Sequence, residues 1–513
     1  MKKSIYFHPL FLFSVTTIIT GCFYFLTTSA RLTSANYAND SGDFLAAILT
    51  SGIPHPTGYP TYTFLGILFQ KLPLGSQFFR AILASLVPAA VSSGLFAVLL
   101  RKFFIQTNHW SSIVFSLFAG LSWGLSPFLW SQAIIVEVHG LQSLFIVLAL
   151  WWVFELLENP HQKSWLKYYL LALSFGMGLG NHITLCFFLP AILLAAISAM
   201  RKGLPKKILL YQFLLILMGL LVYAYIPLSA SHIPPINWGN ASNWEGFWWL
   251  VSGRAYHNLV FDISFEKVIS RISALAFFLR QQFGVVGIIL AVVGLVQFNF
   301  KSKLIRPILI YLFFVFSIFA IIYGTDDSVT YLLAPISVFA LWIGLALPIL
   351  FSWTWKKIPV GNILLSMSVL VFVVSIPGTF KKVDTHSKTA PADFAETILP
   401  QLPPNAILAS SSDPDSFPLW YYHFGLGRRP DLTLFTMPLT QFRWYQETLI
   451  HTYPAIQFPE PITPINNNSQ EWGMQVSGLN PDLPYCTSSV LKAEATTIQI
   501  ACSTGEIINF IFN

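Results

Sequence analysis

Apolar runs of membrane length recur along this chain and leave little choice of fold. They lie at 10–29, 78–100, 111–127, 133–154, 167–179, 183–200, 208–228, 277–298, 307–323, 329–350 and 360–377. A bilayer's hydrocarbon core, about 30 Å thick, takes roughly 20 such residues as a helix, which satisfies its backbone N–H and C=O groups within its own segment. Eleven spans are therefore predicted. The runs at 111–127 and 167–179 are short, and each meets a break marked by Gly or Pro. Broken helices are tolerated where they line a protein-enclosed cavity. Of the 513 residues only 10% are charged and 55% are hydrophobic. That is too little charge to cover a soluble surface, which excludes a cytosolic enzyme, a disordered chain and a nucleic-acid binder. The first run, behind Met1-Lys2-Lys3, lacks a small-residue cleavage site and continues into Phe23-Tyr24-Phe25-Leu26. It reads as a retained anchor rather than a signal peptide.

Basic residues choose the orientation. Lys2 and Lys3, Arg101 and Lys102, Lys163 and Lys167, Arg201, Lys202, Lys206 and Lys207, Lys301, Lys303 and Arg306, and Lys356 and Lys357 all fall on one side of an alternating 11-span arrangement. The opposite loops before residue 380 carry Arg31, Lys71, Arg254, Lys267 and Arg271. The positive-inside rule puts the N-terminus in the cytoplasm and residues 30–77, 229–276 and 378–513 outside. The expectation is a multi-pass protein of the cytoplasmic (inner) membrane, with a membrane domain over 1–377 and a soluble extracytoplasmic domain over 378–513. In the second long loop, Trp238, Trp244, Trp248 and Trp249 suit the headgroup level, and 244–258 suits an amphipathic helix on the membrane. In the tail, Ile407–Ala409 and Leu432–Phe435 read as strands and 438–452 as a helix, so a small α/β domain is expected. Cys486 and Cys502 can pair if that end is oxidised, whereas Cys22 and Cys186, inside apolar runs, read as buried small hydrophobes.

Chemistry-bearing side chains gather at the outer ends of the spans. Asp40 and Asp43, three apart, can share a helical face, one orienting a hydroxyl or a metal while the other takes a proton. Gly52-Ile53-Pro54-His55-Pro56-Thr57-Gly58-Tyr59-Pro60 would hold His55 and Tyr59 on an unusual, rigid backbone path. Glu137 and His139 stand at the outer end of an apolar span, where ionisable groups are costly. Asn181 and His182 follow Gly176, Gly178 and Gly180, and Asp326 and Asp327 precede Tyr331 in another outer turn. The bland readings are a solvated loop, a satisfied loop histidine and helix-packing hydrogen bonds. The recurrence favours one polar cavity opening outward between spans. Arg254, Arg271, Arg280 and Tyr256 can supply phosphate-binding groups to it, Arg280 above all because an apolar helix carries it; its alternative role is snorkelling. A divalent metal (Mg or Mn) held by Asp43, Glu137 or Asp326 is the other way to neutralise a phosphate. The chain has no Gly-x-x-x-x-Gly-Lys loop, no His-Glu-x-x-His and no Gly-x-Ser-x-Gly, which disfavours an ATP-driven pump and a metalloprotease.

The stretch Asp40-Ser41-Gly42-Asp43 through His55-Pro56-Thr57-Gly58-Tyr59-Pro60 resembles the signature of the DUF2723 family, described as protein O-mannosyltransferase-like. Trp130…Glu137-Val138-His139, Gly180-Asn181-His182, Asn237-Trp238-Gly239 and Tyr331-Leu332-Leu333 extend the resemblance over most of 20–350. Leu402-Pro403-Pro404-Asn405-Ala406 and Arg429-Pro430-Asp431 are similar to a soluble segment of some members. The resemblance implies a GT-C-type membrane glycosyltransferase that moves sugar from a polyprenyl-phosphate donor to an acceptor hydroxyl on a protein or glycan, on the extracytoplasmic side, with inversion. It implies that Asp40 is the leading acidic residue and Asp43 the second, where the family more often has Glu. Which of the two is the base stays open at this point. His55, Tyr59, Glu137, His139, Asn181, His182, Arg254, Tyr256, Arg280 and Tyr331 are the candidate substrate-binding residues. Two other classes compete: a transporter or flippase of a lipid-linked intermediate, and an envelope scaffold whose tail binds a partner.

Overall fold

The computed structural model describes residues 4–104, 109–160, 165–260, 263–459, 469–492 and 496–511. Lys2, Lys3 and Lys163 lie outside them. Among the described residues, nine helices are long and apolar enough to cross a membrane: Pro9–Thr27, Gln77–Phe104, His139–Glu158, Ile183–Arg201, Lys206–Ala230, Phe265–Gln297, Ile305–Ile322, Asp327–Phe351 and Val360–Val383. The expected eleven is corrected at the two short runs. Trp110–Gly124 and Pro127–Ala133 are bent by 62° and make a tenth span only if joined. The cause is local: Pro127 starts the second piece, and Ser126 before it is extended at ψ 135°, as a residue preceding proline prefers. Leu166–Leu179 is apolar but only 14 residues long. It lies flush on helix Lys206–Ala230, because a Cβ on Gly176 would sit 2.2 Å from the carbonyl oxygen of Ile216.

Burial sorts the helices into inner and outer. The most apolar part of Asp327–Phe351 is 89% buried in protein, that of Val360–Val383 only 6%. The first is apolar all round and sits at the centre of the bundle; the second faces lipid along its length. Exposure to lipid also corrects the reading of the thiols. Cys22 is exposed and Cys186 half-buried, since a thiol in a span finds apolar surroundings without protein cover.

The C-terminal residues form a five-stranded sheet in the order β2-β1-β3-β4-β5. β1 (Ile407–Ser410) pairs in parallel with β2 (Thr433–Thr436) and β3 (Tyr485–Lys492), while β4 (Thr496–Cys502) and β5 (Ile507–Ile511) continue antiparallel. Opposed across β3 and β4, Cys486 and Cys502 form a disulfide. The expected 438–452 helix is a short 3₁₀ turn followed by Arg443–Thr452. Helices Ala390–Gln401 and Asp413–Trp420 flank the sheet.

This part packs onto the first outer loop rather than standing clear of it. Arg31 pairs with Asp393 and Glu396 at 2.7 Å each, and Thr385 Oγ1 donates to the carbonyl of Thr27. Helix Asp413–Trp420 lies on helix Ser41–Thr50 so closely that a Cβ on Gly42 would come within 2.4 Å of the Phe417 carbonyl oxygen. The second outer loop closes the other side. Its expected 244–258 helix is two pieces, Trp244–Val251 and Arg254–Leu259, parted by Gly253 at φ 65°. Trp244 and Trp248 stay exposed, as a headgroup position requires, but Trp238 is buried.

Candidate active site

The first outer loop supplies the centre of the site. Asp40 ends a 3₁₀ turn, and the helix Ser41–Thr50 starts directly after it with Asp43 in its first turn. Carboxylates suit that end, where unpaired backbone N–H groups point outward. The following Gly52–Pro60 segment is tied down at several points. Ile53 donates to the carbonyl of Ile236 at 2.8 Å and accepts from the Trp238 amide at 3.3 Å, which pairs it with the second outer loop. Thr61 hydrogen-bonds through its amide and hydroxyl to the carbonyls of Gly180 and Met177. Gly58 takes φ 80° and Tyr59 φ 40°, so the chain turns back and sets His55 over Asp43.

The two aspartates, equivalent in the sequence, are then distinguished. The Asp43 side chain is fully buried and spends both oxygens. Oδ2 accepts from the His55 amide at 2.9 Å and lies 2.8 Å from His55 Nδ1, and Oδ1 accepts from Trp238 Nε1 at 3.1 Å. Asp40 reaches His55 from the other side, Oδ2 to Nε2 at 3.7 Å, and its side chain is 36% exposed. The imidazole is thus held between two carboxylates, one locked and one open to the cavity. Burial alone would lower the His55 pKa; Asp40 and the hydrogen-bonded Asp43 outweigh it and raise it to about 9. The two carboxylates favour the imidazolium form of His55. Burial raises the Asp40 pKa, and His55 opposes the shift. The Glu137 carboxyl is pushed well above its ordinary value, by burial first and then by Asp40 and Asp327.

Asp40, His55, Tyr59, Glu137, His139, His182, Tyr256, Asp327 and Tyr331 all line one cavity of about 360 Å³. The expected convergence of outer span ends is therefore met. Rings connect its wall: His55 to Tyr59 at 5.1 Å, Tyr59 to His182 at 5.9 Å, and His182 to His139 at 5.9 Å and to Tyr331 at 5.7 Å. Asn181 stays behind the wall, donating to the carbonyl of Val138 and to Gln142 Oε1, so it braces the turn that presents His182.

The arginines are not in this cavity. Among the described residues that line it there is no Lys or Arg. Arg271 gives its guanidinium to the carbonyls of Ile321, Tyr323 and Thr325. Arg254 is exposed, one residue beyond the wall residue Gly253, and Arg280 lines a separate cavity. The Asp326 side chain lies outside the described residues. Among the described residues no group of three or more His, Cys, Asp and Glu is placed to hold a metal ion. Asp43 does not fit the ligand role considered for it, because its hydrogen bonds engage both oxygens. Glu137 keeps a buried Oε1 with no partner.

Two residues of the site are not among the candidates drawn from the sequence. Trp238 was read as a headgroup anchor but serves as the donor to Asp43. Asp413 comes from the C-terminal part and lines the cavity beside Asp40 and His55. Burial first, then Asp40, raises its pKa to about 6. In sequence Asp413 is one acid among several at a helix start, where Ser412 and Asp415 form a capping box.

With the geometry in place, similarity to known proteins can be set beside it. Residues 40–204 match the protein O-mannosyl-transferase TMEM260 N-terminal domain, and residues 391–470 match the TMEM260-associated domain 2. The likeness to protein O-mannosyl-transferases thus falls on two separate segments of the chain. The first match begins at Asp40 and takes in His55, Glu137, His139 and His182; the second contains Asp413. The chain is 23% identical over 472 residues to the protein O-mannosyl-transferase tmem260 of Dictyostelium discoideum and 26% identical over 450 residues to that of Mus musculus. Both alignments cover 82% of this chain but only 57% and 62% of the relatives, so it spans about three-fifths of their length. The solved structure of ArnT from Cupriavidus metallidurans bound to undecaprenyl phosphate superposes with a TM-score of 0.55, at 13% identity, over 94% of this chain and 93% of that one. An oligosaccharyltransferase from Archaeoglobus fulgidus, in complex with Zn and sulfate, gives 0.50 at 11% identity, over 93% and 68%. The fold is GT-C-like, a polytopic helical bundle with a small strand-containing C-terminal part.

Proposed function

We propose that this protein is a membrane glycosyltransferase that moves a sugar from a polyprenyl-phosphate donor to an acceptor hydroxyl on a protein or glycan. The observation that carries the reading is Asp40: a carboxylate open to the cavity, 3.7 Å from a histidine that a second, buried carboxylate locks in place. In this reading Asp40 takes the acceptor proton as the acceptor oxygen bonds to the anomeric carbon. The bond from that carbon to the phosphate oxygen breaks on the opposite face, the leaving phosphate keeps the electron pair, and the configuration inverts. Asp43 acts through His55: it fixes the ring, and the imidazolium opposes the rise that burial imposes on Asp40. Glu137, His139, His182, Tyr59, Tyr256 and Tyr331 line the space for sugar and phosphate, with Arg254 at its rim. The family match, the GT-C-like fold and the undecaprenyl phosphate bound by ArnT support the donor class.

The same reading places the N-terminus in the cytoplasm and residues 378–513 outside. The disulfide Cys486–Cys502 supports that side, since such bonds persist in oxidising compartments. The test is incubation of the purified protein with a panel of polyprenyl-phospho-sugars. Release of polyprenyl phosphate with sugar appearing on an acceptor is expected. Movement of intact donor across a vesicle bilayer without bond cleavage would replace the proposal with a flippase.

A further inference from the structure

Arg280 marks a second cavity, of about 210 Å³, that shares no wall residue with the catalytic one. It lies between the bent Trp110–Ala133 pair, helix Phe265–Gln297 and helix Val360–Val383. Its polarity is graded. At one end stand Arg280, Gln281 and Thr379, with Lys382 Nζ 3.4 Å from Gln281 Oε1. Leu290, Ile343 and Phe372 line the rest. Three of its wall serines are already engaged: Ser368 and Ser375 donate to carbonyls of their own helix, and Ser126 donates to the carbonyl of Trp123. From Thr379 to Ser368 the slot runs about 16 Å along a helix at about 1.5 Å per residue. No Asp or Glu is among its described wall residues. Helix Phe265–Gln297 breaks at Gly284, φ 65°, with open space where a Cβ would be, so crowding does not force the break that shapes this wall. Because Val360–Val383 is the least buried span, the slot lies open to the bilayer.

We infer that this slot binds an anionic membrane phospholipid, its phosphate against Arg280 and Lys382 and one acyl chain along the apolar wall. A cationic mouth above an apolar groove of acyl-chain depth matches that amphiphile in both charge and shape. Helix-end snorkelling accounts for Arg280 alone but not for the uncharged, graded slot below it. The inference is independent of the proposed reaction.

The test is native mass spectrometry of the detergent-purified full chain with added phosphatidylglycerol, phosphatidylcholine or undecaprenyl phosphate. Retention of phosphatidylglycerol about tenfold above phosphatidylcholine is expected, reduced to parity in an R280Q/K382Q variant. Val371→Trp, which fills the slot and leaves both cations, should also abolish retention, and decides the matter if the double variant does not fold. Equal retention of the two phospholipids, or a preference that survives both variants, overturns the inference. Displacement of phosphatidylglycerol by equimolar undecaprenyl phosphate also overturns it, since the slot would then be a donor site.

Discussion

Asp40 and Asp43 stand three residues apart, yet substitution should separate them. Asp40→Asn keeps the size and removes the base; turnover should fall about 10²-fold or more, with a smaller loss of thermal midpoint than Asp43→Asn shows. Asp43→Asn removes a buried charge that accepts from His55 and Trp238, so it should also destabilise the protein, by about 3 kcal/mol. Melting in detergent beside a turnover assay distinguishes the two, and equal melting of both variants would count against the assigned roles. The pH dependence follows from His55. Its pKa is raised from 6.5 to about 9, so the stabilisation from imidazolium–carboxylate pairing is full below pH 6.5 and lost as pH rises through 9. The thermal midpoint should decline across that window in the wild type and not in His55→Gln. On the acid side, protonation of the raised Asp40 should remove activity as the pH falls. The neighbouring chemistry was readable in sequence because acids and imidazoles recur at outer span ends. Which oxygen is buried was not, because that depends on Trp238 arriving from 195 residues away.

At the level of elements, the site is a joint between two outer loops and the C-terminal part. Gly42 is where helix Asp413–Trp420 touches helix Ser41–Thr50, and Gly42→Val should push them apart. The expected outcome is loss of activity with faster proteolysis of residues 378–513 and little change in the membrane helices, read by limited proteolysis and circular dichroism. Asp413→Asn keeps the contact and removes a cavity carboxylate. It should change acceptor KM more than thermal stability, and an unchanged KM would remove Asp413 from the acceptor side. Helix existence was legible wherever hydrophobic length alone decides it. It failed at Ser126-Pro127, where proline geometry splits one run and hands part of it to the next. The sheet was half legible: β1 and β2 stand out as short apolar runs, but β3, β4 and β5 alternate too weakly with polar residues to be read alone. Arg280 lines a different cavity from the one expected, because a charge within an apolar run signals a polar neighbour without naming it.

For the whole molecule, the alternation of basic loops and the GT-C-like bundle point the same way. In the proposed reading the cavity lies where a membrane-bound donor and an acceptor hydroxyl can meet. Labelling of Asn405→Cys from outside intact cells and of Lys206→Cys only after permeabilisation would support the proposed orientation; the reverse pattern would put the cavity in the cytoplasm and remove the extracytoplasmic acceptor. The central claim is bond making at Asp40, and one assay addresses it most directly. Purified wild type and Asp40→Asn, both folded by their melting curves, are each given radiolabelled polyprenyl-phospho-sugars, and released polyprenyl phosphate is counted with the labelled acceptor. The account predicts stoichiometric release and transfer by the wild type and at least a 10²-fold slower rate in the variant. Equal rates in the two proteins, or donor bound by the wild type without any cleavage across the panel, would contradict it.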